Sequence, residues 1–203
     1  LLLVERSVYE DKNFQDKLKD AATSIKVGSV WEAGNVVGPM ITNRNDKLLQ
    51  ALTLEPGESW LVPPKFIDEK QYILAPTVKW GVKPGSYSFR TELFGPMLSV
   101  ACIDNLQQGI ELVNSLDYGL TSGLQSLDEN EQKLWKDSIL AGNLYINRGI
   151  TGAIVNRQPF GGMKLSAFGG GVKAGGPNYC ACLVKITDKP ESNTDYKQSY
   201  PHA

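Results

Sequence analysis

One histidine, His202, and three cysteines, Cys102, Cys180 and Cys182, are all that 203 residues offer of these types. With a lone histidine near the end, neither a Cys/His zinc site nor a Ser-His-Asp triad can be assembled. Three cysteines build no disulfide framework, and the expectation is a reducing, cytoplasmic location. Lys and Arg number 21 against 22 Asp and Glu, for a net charge of −1. A nucleic-acid footprint needs a basic surplus on one face, so this balance argues against such a partner. No apolar run approaches the roughly 20 residues that span a bilayer, and no membrane association is expected. Leu1-Leu2-Leu3-Val4 stops at Glu5-Arg6, too short for a signal-peptide core. It reads as a buried strand, and a chain that opens inside a strand without a Met is expected to be a piece of a longer protein.

What is present describes an ordinary globular chain, 41% hydrophobic and 21% charged. Its length allows one domain with a sizeable core. Phe14, Leu18, Ala21 and Ile25 form one helical stripe, and Leu48, Ala51 and Leu52 suggest a second helix. A third helix opens at Asp104 with Gln107 three residues on, a capping-box pattern, and continues through Leu106, Ile110 and Val113. A fourth opens at Asp128 with Glu131 and stops near Gly142, where glycine suits a left-handed cap.

Met97 to Ile103 is a nearly unbroken apolar run, as expected of a strand covered on both faces. Thr121–Ser126 and Asn143–Asn147 are shorter candidates. The order strand 97–103, helix 104–115, strand 121–126, helix 128–140, strand 143–147 is a β-α-β-α-β unit. Right-handed crossovers make it an α/β fold, an open parallel sheet flanked by helices. Val78, Trp80 and Val82 alternate with Lys79, Gly81 and Lys83, which predicts a half-exposed strand. Residues 160–177 are too glycine-rich for a regular element, Tyr179–Ile186 reads as a further strand, and 187–203 as a polar, mobile tail.

Two segments carry candidate chemistry. In Thr91-Glu92-Leu93-Phe94-Gly95-Pro96, extended backbone would project Glu92 and Phe94 together. A carboxylate beside an aromatic ring suits a nucleotide cofactor: its oxygens accept from ribose hydroxyls while the ring walls the nicotinamide. Taken in isolation, such a pair is more often a solvated acid and a core aromatic. The second segment, Tyr145 to Gly162, follows the last strand of the parallel unit, where open α/β sheets place their ligand sites. Gly152 and Ala153 are small enough to leave backbone N–H groups open to a carboxylate, and Phe160 offers a wall. The same loop also reads as a tight turn with a packing aromatic.

Two weaker patterns carry little. Gly169-Gly170-Gly171-Val172-Lys173-Ala174 fits G-x-G-x-x-A, but no strand precedes it and Gly175-Gly176-Pro177 stands where a helix should begin. Cys180-Ala181-Cys182 lacks further metal ligands. Lys164 and Lys173 read as solvated charges.

Glu92-Leu93-Phe94-Gly95-Pro96 resembles the E-x-F-G-P motif of the aldehyde dehydrogenase superfamily. Gly38-Pro39, Pro76-Thr77, Gly142-Asn143-Leu144-Tyr145-Ile146-Asn147 and Gln158-Pro159-Phe160-Gly161-Gly162 follow in that family's order and spacing. Thr151-Gly152-Ala153-Ile154-Val155 and Lys173-Ala174-Gly175-Gly176-Pro177-Asn178-Tyr179 are similar to its L-glutamate-γ-semialdehyde (pyrroline-carboxylate) dehydrogenase branch, found also in bifunctional proline-utilisation proteins. The resemblance covers about residues 1–186. Ser166-Ala167-Phe168-Gly169 departs from it, since the family usually has glycine directly after the serine.

The resemblance implies a cysteine that forms a thiohemiacetal, hydride transfer to NAD, and thioester hydrolysis activated by a glutamate. It places that cysteine upstream of Leu1, together with the activating glutamate and most of the cofactor-binding fold. It assigns Glu92 to the nicotinamide ribose, Phe94 beside it, Gly152 and Ala153 to the substrate α-carboxylate, and Phe160 to the aldehyde chain. Residues 1–178 would be the C-terminal part of the catalytic domain, 179–186 an oligomerisation-flap strand and 187–203 the tail. The partners implied are a small aldehyde and, at full length, further copies of the protein. An aldehyde dehydrogenase for another aldehyde, or a non-catalytic oligomerisation scaffold of the same fold, stays open beside this reading.

Overall fold

The computed structural model describes residues 1–42, 46–68, 73–153, 157–169, 171–185 and 187. Its elements begin with β1 (Leu2–Glu5), α1 (Arg6–Tyr9), α2 (Lys12–Ser24), α3 (Asp46–Ala51), β2 (Ser59–Val62) and β3 (Phe66–Asp68). Next come β4 (Ile73–Leu74), β5 (Thr77–Trp80), α4 (Tyr87–Arg90), β6 (Met97–Ile103) and α5 (Leu106–Asn114). The series closes with β7 (Tyr118–Gly119), β8 (Thr121–Leu124), α6 (Glu129–Ser138), β9 (Asn143–Ile146), β10 (Met163–Lys164) and a 3₁₀ helix at Tyr179–Leu183. Two compact units result: Leu1–Asp117 with Leu124–Leu140, and Tyr118–Gly123 with the described residues from Ala141 onward.

The first unit is built on a four-stranded sheet in the order β1-β6-β5-β2. β6 is central and parallel to both neighbours, pairing Val100 with Leu2 and Met97 with Thr77, while β2 runs antiparallel at the edge. One face carries Val4, Val62, Val78, Trp80 and Val100 against Phe14, Leu18 and Ala22. Each such aliphatic side chain contributes about 1.5–3 kcal/mol when fully buried. The helical stripe therefore runs through Ala22 rather than Ala21, and Ile25 is already the non-helical cap of α2. Asp11 caps the start of α2 by accepting from the Asn13 N–H at 2.8 Å. On the same side Tyr9 stacks on Trp80, ring centroids 4.4 Å apart. Leu3 and Ala101 pack with Val82, Phe89, Leu112 and Leu116 in a second cluster.

The fold is α/β with parallel strands flanked by helices, but the pairing differs from the simple β-α-β-α-β expectation. Strand β6 has β1 and β5 on its two edges, and β8 joins neither of them but pairs with β9 in a separate ladder. Strand β5 is buried at all four positions, not half-exposed. Its alternating Lys79 signals a buried ion pair rather than a solvated face.

The third helix starts one residue later than its capping pattern predicts. Asn105 accepts from the Gln108 N–H at 3.0 Å, and Gln108 in turn accepts from the Asp104 N–H at 2.6 Å. Asp104 is instead engaged by Arg6 across 98 residues of sequence. Asp128 does cap α6, accepting from the Asn130 N–H at 2.7 Å. That helix ends at Ser138, where Asn114 accepts from the Leu140 N–H and donates to the Ser138 carbonyl. Gly142 is no left-handed cap. A Cβ there would lie 1.8 Å from the Gly161 carbonyl oxygen, so the glycine serves close backbone approach.

In the second unit β7 and β10 pair antiparallel, Met163 opposite Gly119. This gives the glycine-rich stretch 160–177 one short regular element, joined by a bridge between Phe160 and Ala174. Tyr179–Leu183 is a 3₁₀ helix, not the expected strand. A strand takes its hydrogen bonds from a neighbour, and here the backbone bonds to itself instead: the Tyr179 N–H donates to Gly176 and the Ala181 N–H to Asn178. Ile186 and the tail beyond Thr187 lie outside the described residues, as do Ile154 and Val155.

Candidate active site

Short helix α4 and the five residues after it form the wall of a cavity of about 320 Å³ in the first unit. Leu1, Ser88, Phe89, Glu92, Phe94 and Ser99 are among its lining. The segment is shaped by its neighbours. Leu93 is buried with Leu48, Ala51 and Leu74. Gly95 lies so close to Leu48 that a Cβ would meet the leucine methyls at 3.3 Å. The Met97 N–H then donates to the Gly95 carbonyl at 2.8 Å, and the Thr77 N–H to the Pro96 carbonyl at 2.9 Å.

With Leu93 pulled into the core, Glu92 and Phe94 are both exposed and both line the cavity. They come together as the sequence suggests, but not through extended backbone. Phe94 has φ 50°, in the left-handed region that bulky residues avoid, and keeps 69% of its surface exposed. Holding such a residue there costs on the order of 1–3 kcal/mol and concentrates at sites of function. Glu92 has no hydrogen-bond or ion-pair partner among the described residues. An unpaired carboxylate and an open ring on one wall can bind a hydroxyl-bearing ring system. The cavity is at the small end for ligand sites, with room for one ring system and its substituents.

Behind this wall sits a network the sequence reading missed. Lys79 is 0% exposed, and Glu58, its partner at 2.9 Å, is 1% exposed. The ammonium also donates to the Thr53 carbonyl at 2.7 Å and to Ser88 Oγ at 3.1 Å. The indole of Trp60 lies 5.4 Å from Nζ. The available signal is a lysine between Val78 and Trp80, which by alternation alone reads as solvent-exposed and which the fold buries.

Gly152, Ala153 and Phe160 belong to the second unit. Strand β9 ends at Ile146, and the chain runs on through Asn147, φ 53°, to Gly152, φ 82°. The N–H groups of Gly152 and Ala153 meet no acceptor among the described residues, and both residues are exposed. A backbone open in this way can receive an anion. Phe160 is half-buried, its N–H and carbonyl both bonded to Ala174 at 3.0 and 2.9 Å. Asn143 fixes the strand end against this segment, donating to the carbonyls of Leu120 and Gly161 at 2.7 and 3.1 Å. Lys173 is half-buried and donates to the Gly142 carbonyl, so it clamps the loop rather than standing in solvent. Gln158 donates to the Tyr145 hydroxyl at 3.1 Å, beneath Arg148, whose guanidinium lies 5.2 Å from the same ring. At the departing Ser166-Ala167-Phe168-Gly169, Ser166 Oγ accepts from the Gly119 N–H at 3.1 Å and Phe168 is wholly exposed.

The remaining nucleophile candidates do not fit. Cys102 lies on β6, and burial pushes its thiol above the ordinary range while Arg6 pulls it down less strongly. A raised thiol is a poor nucleophile. Among the described residues no group of His, Cys, Asp and Glu could hold a metal ion, and no helix is long and apolar enough to cross a membrane.

The 1-pyrroline-5-carboxylate dehydrogenase of Bacillus licheniformis is 33% identical over 181 residues, covering 87% of this chain and 35% of that protein. Proline utilization A (PutA) of Corynebacterium freiburgense superposes with a TM-score of 0.81 at 45% identity, over 90% of this chain and 20% of that one. The 1-pyrroline-5-carboxylate dehydrogenase from Thermus with bound NAD gives a TM-score of 0.77 at 31% identity, over 89% of this chain and 34% of that one. The chain thus spans about a third of the length of the curated relative. Residues 1–187 match the aldehyde dehydrogenase family, and the chain belongs to it.

Proposed function

We propose that this chain is the C-terminal part of an NAD-dependent L-glutamate-γ-semialdehyde dehydrogenase, the enzyme that oxidises the semialdehyde to L-glutamate in proline catabolism. The observation that carries the reading is the pairing of an unpartnered Glu92 with a strained, exposed Phe94 on one cavity wall. The resemblance to relatives named 1-pyrroline-5-carboxylate dehydrogenase supports the substrate. In this assignment Glu92 accepts from the nicotinamide ribose and Phe94 walls the ring. Bound NAD supplies a hydride acceptor. Gly152 and Ala153 donate backbone N–H groups to the substrate α-carboxylate, and Phe160 lines the aldehyde chain. No cysteine here stands in a nucleophile context, so residues 1–203 alone are expected to be inactive.

The same reading includes assembly with further copies, supported by the exposed Leu183 and Val184 at the end of the 3₁₀ helix, and a cytoplasmic location. The test is to follow NADH formation from glutamate semialdehyde with the full-length protein and with residues 1–203. Turnover by the full-length protein and none by the shorter chain is expected. Turnover by residues 1–203 comparable to an intact enzyme would overturn the missing nucleophile, and a full-length protein blind to the semialdehyde would overturn the substrate.

A further inference from the structure

The ammonium of Lys79 has three N–H donors and no acceptor. Its three contacts spend them all: Glu58 Oε2 at 2.9 Å, the Thr53 carbonyl at 2.7 Å and Ser88 Oγ at 3.1 Å. Ser88 must therefore receive a hydrogen bond from Lys79, and its own hydroxyl proton is left to donate elsewhere. Among the described residues nothing accepts that proton. Ser88 is 5% exposed and lines the cavity together with Glu92 and Phe94. A cation donating to a hydroxyl oxygen also polarises the O–H bond and makes it a stronger donor. Lys79 is held in turn on the sheet face that bears Ser99, its register partner and another lining residue.

We infer that Ser88 is a cofactor-binding residue, donating its hydroxyl proton to an oxygen on the nicotinamide–ribose end of NAD, and that Lys79 is the positioning residue that fixes the direction of that donation. The inference rests on the proposed reading of the cavity as a nicotinamide site. It adds a donor to a wall on which Glu92 can only accept. An acceptor and a donor on one wall recognise both a ribose hydroxyl proton and an oxygen lone pair, which a lone carboxylate cannot do.

The experiment measures Kd for NAD by calorimetric titration, with KM for NAD and kcat beside it, in the full-length protein for wild type, Ser88→Ala, Lys79→Met, the double variant, and Glu92→Gln. Ser88→Ala is expected to raise KM for NAD roughly three- to tenfold, the loss of one neutral hydrogen bond, with kcat within about twofold. Adding Ser88→Ala to Lys79→Met is expected to change KM no further, because the serine has already lost its orientation. A purely structural lysine would leave the serine's effect intact in the double variant, and that additivity overturns the positioning role. If Lys79→Met does not fold, Ser88→Ala alone decides. An unchanged KM in Ser88→Ala beside a shifted Glu92→Gln overturns the inference and leaves the cavity reading standing. Unchanged values for both overturn the two together.

Discussion

Lys79 Nζ and Glu58 Oε2 lie 2.9 Å apart with both side chains out of solvent, joining β5 to the start of β2 beneath the cavity wall. Taking two charges out of water is costly, and the pair is kept only because each is hydrogen-bonded: Lys79 to Thr53 and Ser88, Glu58 to the Glu55 N–H at 2.8 Å. The other carboxylate oxygen, Glu58 Oε1, is buried with no partner among the described residues.

Breaking this pair from one side should therefore be worse than removing it whole. Lys79→Met is expected to cost about 3–5 kcal/mol, because it strands a buried carboxylate. Lys79→Met with Glu58→Leu should recover most of that loss. Urea denaturation of residues 1–203, wild type against single and double variants, measures both. A single variant as stable as wild type would mean that the pair is solvated in solution.

Glu92→Gln keeps the shape of the side chain and removes its charge. In the full-length protein the ribose hydrogen bonds should weaken by about 1–2 kcal/mol, with the fold intact because Glu92 is exposed and has no partner among the described residues. Titration with NAD, alongside a thermal melt, reads both quantities. Unchanged affinity returns Glu92 to the role of a solvated carboxylate.

Substrate choice is tested at Ala153. Donors left unpaired by a simple aliphatic aldehyde should make the site prefer semialdehydes that carry an α-carboxylate. Ala153→Val should obstruct that carboxylate and lower kcat/KM for glutamate semialdehyde more than for a short aldehyde. The ratio of the two values, wild type against variant, is the deciding number. If it does not move, Gly152 and Ala153 only form a turn.

Cys102 offers a test of pH behaviour. Burial raises its thiol above the usual value, so at any given pH it holds less thiolate than a free cysteine. Only the thiolate attacks a disulfide reagent. In a chain with Cys180→Ser and Cys182→Ser, labelling by a chromogenic disulfide should be slower than for glutathione at pH 8. It should speed up only as the pH climbs beyond the normal thiol range. Labelling as fast as glutathione at pH 8 would contradict the burial argument.

Features whose cause lies within a few residues were legible from the chain itself. Asp128 caps a helix because its short side chain meets an N–H two positions on, and Met97–Ile103 is a central strand because it is apolar but for Ser99. Glu92 and Phe94 of the motif Glu92-Leu93-Phe94-Gly95-Pro96 do share a cavity wall, for a reason other than the one the sequence suggests. Extended backbone was to project them together, whereas burial of Leu93 and a left-handed Phe94 do so. Only the tertiary structure could decide what depends on distant partners. Asp104 loses its capping role to Asn105, and Arg6, 98 residues away, takes its carboxylate. The strand at Thr121–Leu124 finds both edges of β6 taken and pairs elsewhere. Lys79 is buried because its partners at Glu58, Thr53 and Ser88, the last two 26 and 9 positions away, surround it only after folding. A charge in a strand means solvent to a local reading and an ion pair to a three-dimensional one, since burial depends on what the fold brings to it.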